Sequence, residues 1–152
     1  MLPVADKGKR PMAKKFKLEV VTPDKLLVDR EVESVVATGV EGEFGVLAGH
    51  VPFLATLGIG ELRFNQGSGT EYAAVSGGFA EVTGEKVTVL AEAAELARDI
   101  DVDRAKRARE RAEQRISQAH KEQIDFVRAE VALKRALLRL HMADKLSMSS
   151  GG

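Results

Sequence analysis

The chain has no cysteine and no tryptophan among its 152 residues, and only one tyrosine. The lack of cysteine excludes a disulfide scaffold, a thiol nucleophile, an iron–sulfur cluster and a Cys-ligated zinc site, and it fits a reducing compartment. No run of about 18 residues is free of charge, so no segment reads as a membrane span. The first ten residues, MLPVADKGKR, contain no apolar core segment and do not read as a signal peptide. Glycine and proline are absent from residue 91 through 150. That stretch is free to be helical, whereas the glycines before it punctuate strands and turns. With 44% apolar and 30% charged residues, the composition is that of an ordinary globular chain.

The net charge of zero hides an uneven distribution. Residues 1–15 carry five basic groups against Asp6, a net +4. Residues 16–97 carry five basic and thirteen acidic groups, a net −8. Residues 98–152 carry thirteen basic and nine acidic groups, a net +4. Segregated charge of this kind suits segments that face different partners, or two solvated surfaces of opposite sign.

In the acidic part, Phe16-Lys-Leu-Glu-Val alternates apolar and polar as a half-buried strand does. Thr22-Pro-Asp-Lys reads as a turn. Further strands are expected at 26–28, 33–38, 53–57, 61–65, 71–76, 79–83 and 86–90, with hairpin connections at Gln66-Gly-Ser-Gly and Thr83-Gly-Glu-Lys. Many short strands with turns between them predict an antiparallel sandwich or barrel. In the basic part the period changes. Ala105, Ala108, Ala112, Ile116 and Ala119 share one helix face, as do Ala129, Leu133, Ala136, Leu140 and Ala143. Asp101 and Asp125 stand where N-caps are expected. The linker from Gln118 to Ile124 has no helix breaker, which suits a connection that can either turn or straighten. The fold class is therefore α+β, an N-terminal antiparallel β-sandwich or barrel followed by two C-terminal helices, most simply an antiparallel two-helix hairpin.

No catalytic constellation is present. Gly39-Val-Glu-Gly-Glu-Phe-Gly matches no phosphate-loop or dinucleotide fingerprint, and its glycines read as turns and bulges. His50, His120 and His141 are too scattered for a metal site, and His50 beside Val51-Pro52 reads as a structural loop residue. Ser76 in Val75-Ser-Gly-Gly lacks the context of a nucleophile elbow. The arginines are more informative. Arg104, Arg111 and Arg115 fall on one face of the first helix, and Arg128, Arg135 and Arg139 on one face of the second. A hairpin that aligned the two rows would hold an anion between guanidinium forks; a solvated basic face paired with Glu110 and Glu130 is the plainer alternative.

Taken in order, several segments resemble one family. They are Val21-Thr-Pro-Asp, Gly42-Glu-Phe-Gly-Val-Leu-Ala-Gly-His-Val-Pro, Val75-Ser-Gly-Gly-Phe-Ala-Glu-Val, Ile100-Asp-Val-Asp-Arg-Ala, and the stretch from Asp125 to Leu140. Over about residues 14–145 the chain resembles the epsilon subunit of bacterial F-type ATP synthases. The resemblance implies a non-catalytic rotor subunit whose sandwich docks on the gamma subunit and the c-ring. It implies a hairpin that extends toward the beta subunits and inhibits ATP hydrolysis. It also implies a peripheral location on the cytoplasmic face of the bacterial plasma membrane. Domains are expected as a disordered extension over 1–13, the sandwich over 14–97, the hairpin over 98–145 and a flexible tail over 146–152.

The bacillus-like members of that family bind ATP on the folded hairpin through an I/L-D-x-x-R-A motif, which Ile100, Asp101, Arg104 and Ala105 match. Glu95, Arg111, Arg135 and Arg139 match the remaining positions. The resemblance thus implies ATP as a regulatory ligand, with Glu95, Ile100, Asp101 and Ala105 near the base and the arginines on ribose and phosphates. No metal and no catalytic cofactor is expected. A nucleic-acid-binding helical hairpin is the competing class. It is opposed by the nine acidic groups of residues 98–152 and by their single aromatic, Phe126.

Overall fold

In a computed structural model, residues 14–67, 69–120 and 124–150 are described. Seven strands come first: β1 (Phe16–Val21), β2 (Leu26–Val32), β3 (Ser34–Gly39), β4 (Gly42–Leu47), β5 (Phe53–Gln66), β6 (Gly69–Val82) and β7 (Lys86–Leu96). A single 3-10 turn, Ala97–Asp99, leads into helices α1 (Val102–Gln118) and α2 (Ile124–Ser150). The strands form one continuous sheet in the order β2-β1-β7-β6-β5-β3-β4.

The sheet folds over on itself to make the two layers. The core positions show how. In β5 they run Leu57, then Leu62 and Phe64; in β6, Ala73 and Val75, then Ala80 and Val82; in β7, Val87, Val89 and Ala91, then Leu96. Each strand thus slips its alternation by one residue at the same level, which turns the sheet without breaking its pairing. Glycines make that turn possible. Gly78 sits at φ +120°, and a Cβ there would lie 2.0 Å from the carbonyl oxygen of Leu90. A Cβ on Gly60 would lie 2.4 Å from the Thr38 side chain. Across the fold, Arg30 of β2 pairs with Glu71 of β6 and stacks 5.6 Å from the centre of the Phe64 ring.

The predicted sandwich therefore forms, with three differences in detail. The expected strand pairs 53–57 with 61–65 and 71–76 with 79–83 are continuous strands, because the glycines bend the ladder rather than end it. Gly42–Leu47, whose glycines hid it, is a strand paired with β3. The sheet is not wholly antiparallel: β1 runs parallel to β7, from Lys17 opposite Lys86 to Val21 opposite Leu90. The two turns begun by threonine form as expected. Thr22 and Thr83 each close a short loop by donating a backbone N–H at 2.9 Å, to the carbonyls of Lys25 and Lys86 respectively. His50 is a loop residue, with Nδ1 bonded to the Leu47 carbonyl and its ring edge-on to Phe16.

The hairpin packs through alanines at seven-residue spacing. Ala105 and Ala112 of α1 and Ala129 and Ala136 of α2 are all buried, and such small side chains let the helices approach closely. Asp101 caps α1, its Oδ1 accepting the Arg104 N–H at 3.1 Å. Asp125 does not cap α2, because the helix already includes Ile124; its carboxylate lies in the first turn, where it complements the helix dipole. At the other end α2 runs on through Ser150, so residues 146–150 continue the helix where a tail was expected. The expected extension over 1–13, and residues 121–123 of the breaker-free linker, lie outside the described residues.

Candidate functional site

Helix α2 lies on the outer face of the sheet. The outward residues Glu61 of β5, Tyr72 and Ala74 of β6 and Glu95 of β7 meet one stripe of α2, namely Arg139, Met142, Lys145 and Leu146. At the centre, Met142 is fully buried in a small cluster with Ala74, Ala97 and Ile100, flanked by Tyr72, Leu138 and Leu146. This cluster is separate from the sandwich core. An ion pair stands on either side of it. Arg139 Nε lies 3.1 Å from Glu95 Oε1. Lys145 Nζ donates to both oxygens of Glu61 at 2.8 Å and sits 5.4 Å from the centre of the Tyr72 ring.

Glu61 retains only 14% side-chain exposure, so its pairing is shielded from solvent. Lys145→Met leaves it with Arg63 alone, at 3.5 Å. That substitution is expected to weaken docking of α2 by about 1–2 kcal/mol. Hydrogen exchange across residues 138–148 measures it, and exchange as slow as in the native chain would show that the clamp contributes nothing.

Between the sheet and α2 lies a cleft of about 340 Å³, whose lining includes Lys25, Ser76, Glu95, Asp99, Arg135 and Arg139. Such a volume lies at the lower end of ligand sites. Of the residues implied by the resemblance, Glu95, Arg135 and Arg139 come together here. The other five do not line this cleft. Ile100 is buried in the Met142 cluster, Asp101 caps α1, Ala105 packs against α2, and the side chains of Arg104 and Arg111 are exposed on α1. Arg115 and Arg128, one from each arginine row, share a second cleft of about 420 Å³ at the far end of the hairpin, with Gln118 and Asp125. The sequence pattern missed Lys25, Ser76 and Asp99. In the sequence Lys25 is only part of a turn, and no local signal places that turn against a helix more than a hundred residues further on.

Among the described residues there is no group of three or more His, Asp or Glu side chains that could hold a metal ion, and no helix is long and apolar enough to cross a membrane. Residues 15–97 match the family model of the ATP synthase delta/epsilon chain β-sandwich domain, and residues 98–144 match that of its long α-helix domain. The chain belongs to the ATP synthase epsilon chain family. It is 55% identical over 131 residues to the ATP synthase epsilon chain of Nitratidesulfovibrio vulgaris strain DP4, covering 86% of this chain and 97% of that one. The epsilon chain of Bacillus pumilus is 49% identical over 132 residues, covering 87% of this chain and 99% of that one. Among solved structures, a chain of the Euglena gracilis mitochondrial ATP synthase, solved with OSCP, F1 and the c-ring, is similar. It has 27% identity and a TM-score of 0.70, covering 87% of this chain and 83% of that one. As an epsilon chain, the protein is a regulatory subunit of ATP synthase and not a catalyst on its own.

Proposed function

We propose that this epsilon chain is a central-stalk subunit of a proton-translocating F-type ATP synthase, with a hairpin that senses ATP. The sandwich joins the gamma subunit to the c-ring at the cytoplasmic face of the membrane. The docked hairpin holds ATP; without it the hairpin extends toward the beta subunits and stops hydrolysis. The observation that carries this reading is the cleft where Arg135 and Arg139 of α2 face the sheet. A ligand in that cleft touches both parts of the chain, so it binds only while they are docked and stabilises that arrangement by mass action. Docking on larger subunits is supported by an apolar patch on the uncovered end of the same sheet face. Phe79 and Leu90 lie directly opposite each other on β6 and β7, with Leu54 nearby on β5, and these are 50%, 51% and 68% exposed.

Calorimetric titration of the isolated chain with ATP tests the reading. Arg135→Ala and Arg139→Ala are each expected to weaken binding about tenfold, near 1.5 kcal/mol for a charge-assisted contact at a partly exposed site. ATP affinity unchanged in the double variant would return these arginines to the role of a solvated basic face.

A further inference from the structure

The cleft has two walls of different origin. Arg135 and Arg139 stand on the α2 side; on the sheet side stand Glu95, Asp99 and, from the β1–β2 turn, Lys25. The turn fixes the backbone of Lys25. Thr22 N–H donates to the Lys25 carbonyl at 2.9 Å, and Lys25 N–H donates to Thr22 Oγ1 at 3.2 Å. Pro23 adds a fixed backbone angle between them. The lysine is thus anchored at its Cα, while its four-carbon stem stays free to aim its ammonium group.

The charges of the cleft do not balance pairwise. Glu95 is engaged by Arg139 at 3.1 Å. Lys25, Arg135 and Asp99 have no oppositely charged side chain within 4.0 Å among the described residues. Two unpaired cations on opposite walls, against the one unpaired carboxylate of Asp99, leave the cleft with a net positive charge. A ligand with several negative charges can engage both walls at once, and one with a single charge can serve only one wall at a time.

We propose that Lys25 is a third phosphate-binding residue of this cleft, so that the phosphates of the bound nucleotide are held jointly by the sandwich and by α2. This rests on the reading of the cleft as an ATP site. It adds that the sandwich itself contributes a ligand and that the cleft selects for the number of phosphates. A triphosphate spans from Lys25 to the arginines; a monophosphate does not.

The test is calorimetric titration of the full-length chain with ATP, AMP and inorganic tripolyphosphate. Lys25→Gln is expected to weaken ATP and tripolyphosphate about tenfold each and AMP less than about twofold, while Lys25→Arg keeps ATP affinity within about threefold. Because Lys25 is exposed, the thermal midpoint of Lys25→Gln should match that of the native chain. If Lys25→Gln binds ATP as the native chain does while Arg135→Ala with Arg139→Ala fails to bind, Lys25 has no part and the ATP site stands. Equal losses for AMP and ATP would also overturn the assignment, because they would remove phosphate counting. If the native chain binds neither ATP nor tripolyphosphate, both proposals fall.

Discussion

Removing residues 98–152 will raise ATP hydrolysis by the assembled complex severalfold at low ATP and hardly at all at saturating ATP. The deletion takes away the hairpin and leaves the core of the sandwich whole, since every residue of that core lies between Phe16 and Leu96. On the proposed reading, ATP favours the docked hairpin by RT ln(1 + [ATP]/Kd), with Kd that of the docked form. That is about 2.7 kcal/mol at one hundred times Kd, enough to hold a near-balanced equilibrium almost fully docked. At ATP equal to Kd it is only about 0.4 kcal/mol, and the extended, inhibitory form is then well populated. The truncated complex has no such form and should show no ATP-dependent restraint. Steady-state hydrolysis over a range of ATP concentrations measures this. A constant ratio between truncated and native rates at every concentration would remove ATP from the regulation, though not the hairpin.

Met142→Ala will free α2 from the sheet without unfolding the sandwich. Met142 is fully buried, and the cluster around it shares no buried member with the main core. Truncating a buried methionine costs about 2–5 kcal/mol, through lost burial and the cavity left behind. Here that cost falls on docking alone. On the proposed reading, apparent ATP affinity should drop with it, because the ATP cleft exists only in the docked fraction. The absence of native cysteine allows labels to be placed by substitution at Glu81 on the sandwich and His141 on α2, both exposed. Their separation should lengthen and broaden in the variant. Ala91 would be a poor label site, because it is 5% exposed and belongs to the core. A variant whose sandwich melts as much earlier as its hairpin detaches would show that the two clusters act as one.

The helical half of the fold was open to inspection in the sequence because its signals are local. The absence of Gly and Pro from 91 to 150, the alanine stripes and the cap at Asp101 lie within a few residues of what they specify. The sheet was less legible for a physical reason. Where β5, β6 and β7 slip their alternation, the period-2 pattern ends although the hydrogen-bonded ladder does not, so each long strand looks like two short ones or stops early. The cleft divides the same way. Arg135 and Arg139 stood out from helical spacing, and Glu95 from its match to the family motif. Lys25 and the Lys145–Glu61 clamp depend on contacts between distant segments, which no window of sequence contains.

The parallel pairing of β1 with β7 bears on how the chain is made. As a ribosome releases it, β1 pairs early with β2, their neighbour in sequence, but its other edge has no partner until residues 86–90 emerge. Until then that edge offers unpaired N–H and C=O groups to any extended chain nearby, a route to aggregation. A nascent chain stalled before Lys86 carries this hazard; one that has passed Leu96 does not. The helices leave last, and the sheet residues α2 rests on, Glu61, Tyr72, Ala74 and Glu95, were all released before it. Chaperone demand should therefore peak before the seventh strand is out and fall before the hairpin appears.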